Sequence, residues 1–203
     1  MLWFLFTLSA LFVTGNYAKT VKVSVYYETL CPASELFFTE QLNPNYDELK
    51  SIMNLELIPF GKANITEKDG KLSFTCQHGP DECYGNKVHS CALDLAQGEQ
   101  GIRFAMCSME SYDATADQFL KKCAADNNIS WDEIQNCLKS GKADELLAAN
   151  GKKTYSLKPK LAHVPTVVLD NKFQERISSI ALNALDKLVN FILNDSKCYW
   201  CNK

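Results

Sequence analysis

The chain has 203 residues, of which 46% are hydrophobic and 22% charged, and its formal net charge is −3. This composition is typical of one globular domain, or of one domain that carries an insertion. The absence of a long basic run argues against a nucleic-acid partner. The sequence contains no glycine-rich phosphate loop and no serine-hydrolase elbow, and we predict no cofactor.

The N-terminal segment has the pattern of a secretory signal peptide. Residues 1–18 contain no charged side chain, and residues 2–13 form an apolar run. That run is too short to span a bilayer, and the small residues Gly15 and Ala18 follow it. We therefore expect residues 19–203 to form a single domain that is secreted or resides in the endosomal or lysosomal lumen, with no membrane span.

The cysteines also indicate an oxidising compartment. The chain has nine of them, and such a set forms structural disulfides outside the cytosol. An odd count leaves one thiol over, and we expect that one to be Cys31. The other eight are disulfide candidates: Cys76, Cys83, Cys91, Cys107, Cys123, Cys137, Cys198 and Cys201. Three candidate glycosylation sites, Asn64, Asn128 and Asn194, begin sequons.

The first half of the chain begins with a β-α-β pattern. VKVSVYY, residues 21–27, alternates apolar and polar side chains as a strand does. Cys31 then occupies a helix N-cap position, with Pro32 at the first helical position, and ASELFFTEQL continues the helix. MNLELIPFGKANI, residues 53–65, predicts a second strand.

The middle of the chain predicts a helical, disulfide-bearing insertion at about residues 76–150. Six of the nine cysteines lie there, and strand signals are scarce. Three segments have helical patterns: residues 99–112, 115–126 and 130–150. Ser130 is expected to cap the last of these helices together with Glu133.

The end of the chain returns to strands and a helix. HVPTVVLDNKFQ, residues 163–174, predicts an extended segment, a turn at Asp170-Asn171 and a short partner strand. Residues 178–194 predict an amphipathic helix. Its expected apolar face consists of Ile180, Leu182, Leu185, Leu188, Val189 and Ile192.

Cys31 is the candidate nucleophile. The chain reads Cys31-Pro32-Ala33-Ser34 at the strand–helix junction where thiol–disulfide oxidoreductases place Cys-x-x-Cys. A cysteine at a helix N-terminus is favoured as the thiolate, which attacks a substrate disulfide. Ser34 replaces the resolving cysteine and cannot free the mixed disulfide, although its hydroxyl could hydrogen-bond to the thiolate. The alternative is that Cys31 is a structural cysteine.

A second feature of the proposed active site lies late in the chain. Val164-Pro165 precedes a strand, as the cis-proline of thioredoxin-like proteins does, and Pro165 is the candidate cis-proline. A trans proline at a strand start is the alternative. His163 could stabilise the Cys31 thiolate, whereas Glu28 could oppose it.

Residues 76–91, CQHGPDECYGNKVHSC, carry a specific motif. They resemble the signature C-Q-H-G-x-x-E-C-x-x-N-x-x-x-x-C of the gamma-interferon-inducible lysosomal thiol reductase (GILT) family. The matching positions are Cys76, Gln77, His78, Gly79, Glu82, Cys83, Asn86 and Cys91. The resemblance implies a thioredoxin-like α/β fold with a helical insertion, and reduction of protein disulfides at acid pH. The family's reductases use a Cys-x-x-Cys pair, from which this chain departs at Ser34.

Two functions follow from that departure. In the first, the protein binds a protein partner, with a role in immunity, and lacks efficient dithiol turnover. In the second, Cys31 acts with an external thiol on a disulfide-bonded protein substrate at acid pH. A long-lived disulfide between Cys31 and a partner, or between Cys31 residues of two copies in a disulfide-linked dimer, is a third hypothesis.

Two other cysteine motifs favour structural roles. Cys76, Cys83, Cys91, His78 and His89 lack the close Cys-x₂₋₄-Cys spacing of structural zinc sites, and we predict no metal. CYWC at residues 198–201 follows a helix rather than a βαβ pattern, so it is expected to tie down the tail. The alternative is that this tail supplies a substitute resolving thiol to Cys31.

Overall fold

The computed structural model describes residues 19–194, which contain five strands, eight α-helices and one π-helix. The strands are β1 (Val21–Tyr27), β2 (Met53–Pro59), β3 (Asn64–Lys68), β4 (Lys71–Thr75) and β5 (Thr166–Leu169). The helices are α1 (Pro32–Phe37), α2 (Asn43–Leu49), α3 (Pro80–Leu95), α4 (Glu99–Met109), α5 (Asp117–Asp126), α6 (Trp131–Lys139), α7 (Lys142–Tyr155) and α8 (Glu175–Asn194). A π-helix, Phe38–Leu42, joins α1 to α2. Across residues 19–194, no helix combines the length and apolar character needed to cross a bilayer.

Strand β1 lies at the centre of a three-stranded sheet in the order β2-β1-β5. β2 runs parallel to β1, with Val21 opposite Met53 and Tyr27 opposite Pro59. Parallel neighbours need a crossover connection, and the helical segment 32–49 supplies it. β5 pairs with the other edge of β1 in the antiparallel direction.

The main core packs on one face of this sheet. Val23, Val25 and Tyr27 of β1 are each 0% exposed and belong to a core that also contains side chains from α2, α4 and α8. Burial of a valine side chain contributes about 1.5–3 kcal/mol. This core therefore fixes the strand whose C-terminal end leads into Cys31.

The helical insertion has a core of its own. Helices α3 to α7 follow β4 and precede β5 along the chain. They pack around Phe104, Leu120 and Ile134, each 0% exposed. The insertion region contains three disulfides: Cys76–Cys83, Cys91–Cys137 and Cys107–Cys123. Its last helix ends at Tyr155 rather than near residue 150.

The predicted second strand is too long. β2 ends at Pro59, and Gly61 turns the chain with a φ of 55°, a conformation that glycine adopts without strain. Residues 64–68 belong instead to a hairpin with β4. The hairpin residues are exposed or only partly buried, whereas six of the seven residues of β1 are buried.

The segment predicted as one helix over residues 130–150 forms two. α6 ends at Lys139, and α7 begins after Gly141, whose φ is 84°. The predicted cap at Ser130 is confirmed, since its Oγ accepts a hydrogen bond from the Glu133 N–H at 3.3 Å.

The prediction for the last helix is wrong at Ile180. This side chain is 38% exposed. The buried face of α8 runs instead through Ile177, Ala181, Leu185, Leu188, Val189 and Ile192. The backbone leaves the helical conformation at Ala184, and the next N–H, of Leu185, donates to Gln41 Oε1 at 3.3 Å. The buried positions keep ordinary helical spacing, and Ile180 lies to one side of the face that they form.

Candidate active site around Cys31

Cys31 lies at the N-cap of α1, just beyond the end of β1. Its backbone is extended, with φ −77° and ψ 118°, and Pro32 is the first helical residue. The side chain is 7% exposed, and Cys31 is the free cysteine of residues 19–194. The strand and the helix therefore hold one unpaired thiol just beneath the surface.

The late Val-Pro segment lies against this thiol. Cys31 Sγ is 3.7 Å from the carbonyl oxygen of Val164, and the Val164–Pro165 peptide bond is cis. The carbonyl of His163 accepts a hydrogen bond from Thr166 Oγ1 at 2.6 Å, which fixes the start of β5. The thiol thus makes its polar side-chain contact with the backbone of Val164 rather than with the His163 imidazole.

Ser34 stands one helical turn after Cys31. Its side chain is 0% exposed, and its Oγ accepts a hydrogen bond from the Glu28 N–H at 3.4 Å. A hydroxyl at this position cannot form a disulfide with Cys31. Residues 19–194 contain no other free thiol, and Cys198 and Cys201 lie outside the described part of the chain.

The signature segment binds the loop that carries Cys31. Asn86 Oδ1 on α3 accepts a hydrogen bond from the Thr29 N–H at 3.1 Å, and Thr29 Oγ1 donates to the Glu82 carbonyl at 3.2 Å. Gly85 permits this approach, because a Cβ there would lie 2.5 Å from Thr29 Oγ1. The sequence identified the signature positions, but not that two of them hold the Cys31 loop.

A buried polar cluster lies beside the same loop. Glu28 and Glu82 are both 0% exposed. Glu82 accepts hydrogen bonds from the His78 N–H at 3.0 Å and from His78 Nδ1 at 2.5 Å. Glu28 Oε1 accepts one from the Lys62 N–H at 2.5 Å. Burial raises the pKa of Glu28, although the Lys62 hydrogen bond opposes this shift.

A second buried histidine links the sheet to the insertion. His89 Nδ1 lies 2.8 Å from the Tyr27 hydroxyl, and Nε2 lies 2.8 Å from Ser108 Oγ. Ser108 donates its own proton to the Ala114 carbonyl, so we assign the His89 proton to Nε2. Burial lowers the pKa of His89 to about 3, which keeps this imidazole neutral in acidic compartments.

The three sequon asparagines lie at the surface. Asn64 is on the exposed hairpin, Asn128 follows α5 with a φ of 56°, and Asn194 is the last residue of α8. All three side chains are exposed and sterically open to modification.

The cysteine at the first strand–helix junction, the Val-Pro against its thiol and the helical insertion together define a thioredoxin-like fold. The fold is similar to DsbA from Chlamydia trachomatis, with a TM-score of 0.60 and 14% identity over 86% of this chain and 88% of that one. It is also similar to the thiol-disulfide exchange protein alpha-DsbA2 from Wolbachia pipientis, with a TM-score of 0.57 and 12% identity over 88% and 84%. The model of the family described as gamma interferon inducible lysosomal thiol reductase (GILT) matches residues 22–127, and the chain belongs to this family.

Several relatives support the assignment over most of the chain. GILT-like protein 1 of Drosophila melanogaster is 35% identical over 188 residues, covering 86% of this chain and 75% of the relative. The gamma-interferon-inducible lysosomal thiol reductase of Carassius auratus is 34% identical over 188 residues, covering 92% and 74%. The predicted family and the thioredoxin-like α/β fold are thereby confirmed. The three disulfides fit the oxidising compartment that this membership indicates.

Proposed function

We propose that this protein is a secreted or lysosomal member of the GILT family that acts by binding a protein partner and lacks efficient dithiol reductase turnover. The observation that best supports this proposal is the buried Ser34 hydroxyl at the position of the second cysteine. The fold retains the thiol and the Val-Pro segment that lies against it. Binding at this surface therefore needs no resolving thiol.

The chemistry explains why turnover is lost. When the Cys31 thiolate attacks a substrate disulfide, one sulfur leaves as a thiolate and the other remains bonded to Cys31. In a dithiol enzyme the second cysteine attacks this mixed disulfide, and both electrons come from the enzyme. Ser34 has no sulfur to supply them, so the mixed disulfide persists until another thiol reacts with it.

The second candidate function uses an external thiol and is favoured by the retention of Cys31 as a free thiol. An external thiolate, such as that of glutathione, attacks the Cys31 sulfur or the partner sulfur of the mixed disulfide. Attack on the partner sulfur releases Cys31, and a second external thiol completes reduction of the substrate. Two external thiols are then oxidised for each substrate disulfide reduced.

Reduction of a denatured, disulfide-bonded protein at about pH 5, with and without added monothiol, separates the two functions. Wild type is compared with Cys31→Ser and Ser34→Cys. Ser90→Cys, which places a thiol at another nearly buried serine, is the matched control. The binding function predicts that wild type matches Cys31→Ser and that Ser34→Cys alone gains activity. Turnover by wild type with added thiol, lost in Cys31→Ser, would instead establish a monothiol enzyme.

A long-lived disulfide through Cys31 is tested separately. Wild type and Cys31→Ser, expressed in secreting cells, are compared on a non-reducing gel. A dimer or partner band that disappears in Cys31→Ser identifies Cys31 as the link. A band that persists in the variant excludes it.

A further inference from the structure

We propose that Glu28, His78 and Glu82 form a binding site for a zinc ion. One ligand atom from each residue lies within 4.8 Å of the others. The two glutamates are 0% exposed, whereas the His78 side chain is 33% exposed. The ion would reach the cluster from the His78 side, and a water molecule would complete its coordination there. The site does not depend on the chemistry proposed for Cys31.

The strongest observation is an unpartnered carboxylate oxygen. Glu28 Oε2 is buried and has no hydrogen-bond partner, yet it lies 3.7 Å from His78 Nδ1. His78 Nδ1 can supply at most one proton, and Glu82 Oε2, at 2.5 Å, is the nearer acceptor. A buried carboxylate oxygen without a donor is unfavourable unless a cation compensates it. A divalent ion would satisfy both glutamates at once.

The remaining contacts hold the carboxylates in place for this role. Glu28 Oε1 and Glu82 Oε1 already accept backbone N–H groups from Lys62 and His78. A surrounding hydrogen-bond shell of this kind commonly fixes metal ligands. Glu28 Oε2 is left for the ion, and the ion would displace the proton that His78 Nδ1 shares with Glu82 Oε2. Gly61 leaves the necessary space, since a Cβ there would lie 2.3 Å from Glu28 Cγ.

The ligand set favours zinc over calcium or magnesium. Zinc accepts a mixture of imidazole and carboxylate ligands at about 2.0–2.2 Å, usually four in number. Ligand atoms around such an ion lie about 3.3 Å apart, between the 2.5 Å and 3.7 Å that separate His78 Nδ1 from the two Oε2 atoms. Calcium and magnesium prefer six or more oxygen ligands.

The test is calorimetric titration of the chelator-treated full chain with zinc chloride at about pH 7, where ligand protonation competes little. The titration uses a Cys31→Ser background, so that the free thiol of residues 19–194 cannot bind the ion. Glu28→Gln and His78→Gln remove ligands, whereas His163→Gln and Glu56→Gln are matched controls outside the cluster. Cobalt absorption spectra provide a second measurement of the same coordination.

We expect one zinc equivalent, a loss of about tenfold or more in affinity in each ligand variant, and less than about twofold change in the controls. Glu28→Gln retains an oxygen for the Lys62 N–H, and circular dichroism checks its folding. If it fails to fold, the His78→Gln variant, at a side chain that is one-third exposed, decides the outcome. Absence of stoichiometric binding, or equal affinity in His78→Gln and the parent, would overturn the site.

Discussion

Burial of the His89 imidazole predicts that acidification lowers the stability of this protein. The folded-state pKa of His89 is about 3 because of burial, whereas the pKa in the unfolded chain is about 6.5. Below about pH 6.5 the unfolded state binds a proton that the folded state does not. The stabilisation that comes from keeping His89 neutral is therefore fully present above about pH 6.5, and it is lost as the pH falls toward 3. Between about pH 7 and pH 5 the loss is about 2 kcal/mol.

The perturbation is His89→Gln, which removes the titrating ring and keeps an amide. We expect a loss of about 1–3 kcal/mol at pH 7, because one amide cannot replace both hydrogen bonds, to Tyr27 and to Ser108. The informative quantity is the pH dependence. Between about pH 7 and pH 5, the variant should lose about 2 kcal/mol less than wild type does. Urea unfolding at both pH values measures each free energy.

Ile134→Val is the matched control for this experiment. Ile134 is 0% exposed in the core of the insertion, and the change costs about 1 kcal/mol without adding or removing a titrating group. It should therefore keep the pH dependence of wild type. If His89→Gln and wild type lose the same free energy of unfolding on acidification, the buried neutral imidazole is not the cause of the pH dependence.

Three further predictions concern the loop, the sheet and one glycosylation site. Asn86→Ala leaves the buried Thr29 N–H unpaired but also removes an unpaired amide nitrogen, so we expect a net loss of about 1–2 kcal/mol in the free energy of unfolding and faster alkylation of Cys31. The exposed control Asn183→Ala should change the free energy of unfolding by less than about 0.5 kcal/mol. Burial raises the pKa of Glu56, but hydrogen bonds from lysines outweigh this effect and lower the pKa to about 2. Glu56→Gln should therefore lower the free energy of unfolding, measured in urea, by about 2 kcal/mol at pH 7 and at pH 5 but by little near pH 2. Ser130→Ala removes the helix cap and the Asn128 sequon, so we expect about 1 kcal/mol less stability in thermal unfolding and no glycan on Asn128 by mass spectrometry. Ser130→Thr should keep both the cap and the sequon.

The sequence predicted most reliably the elements with a strong local pattern. β1 was located correctly because its valines alternate and its core face is buried. Helix α3 was missed, because its sequence is dominated by the motif and its buried face includes polar residues such as Glu82, Asn86 and His89. The β3–β4 hairpin was missed because little of it is buried, so its sequence carries no strong apolar pattern.

In the candidate active site, too, the features that are local in sequence were predicted and the contacts between distant residues were not. Cys31 and Ser34 are neighbours in sequence, so their spacing predicted one thiol and one hydroxyl at the strand–helix junction. The contact between Thr29 and Asn86 spans 57 positions. No local pattern shows that Glu28 meets His78 either, because the turn at Gly61 and the start of α3 bring them together only in the folded chain.

The placement of the three disulfides has a consequence for synthesis of the chain. All six cysteines lie between residues 76 and 137, whereas β5 begins at Thr166. A ribosome working at about 5–20 residues per second makes β5 a few seconds after the last of these cysteines. The insertion can thus complete its cross-links before the sheet is whole. During that interval Cys31 lacks its Val164 neighbour, so oxidation of the nascent chain must spare a thiol that is not yet covered.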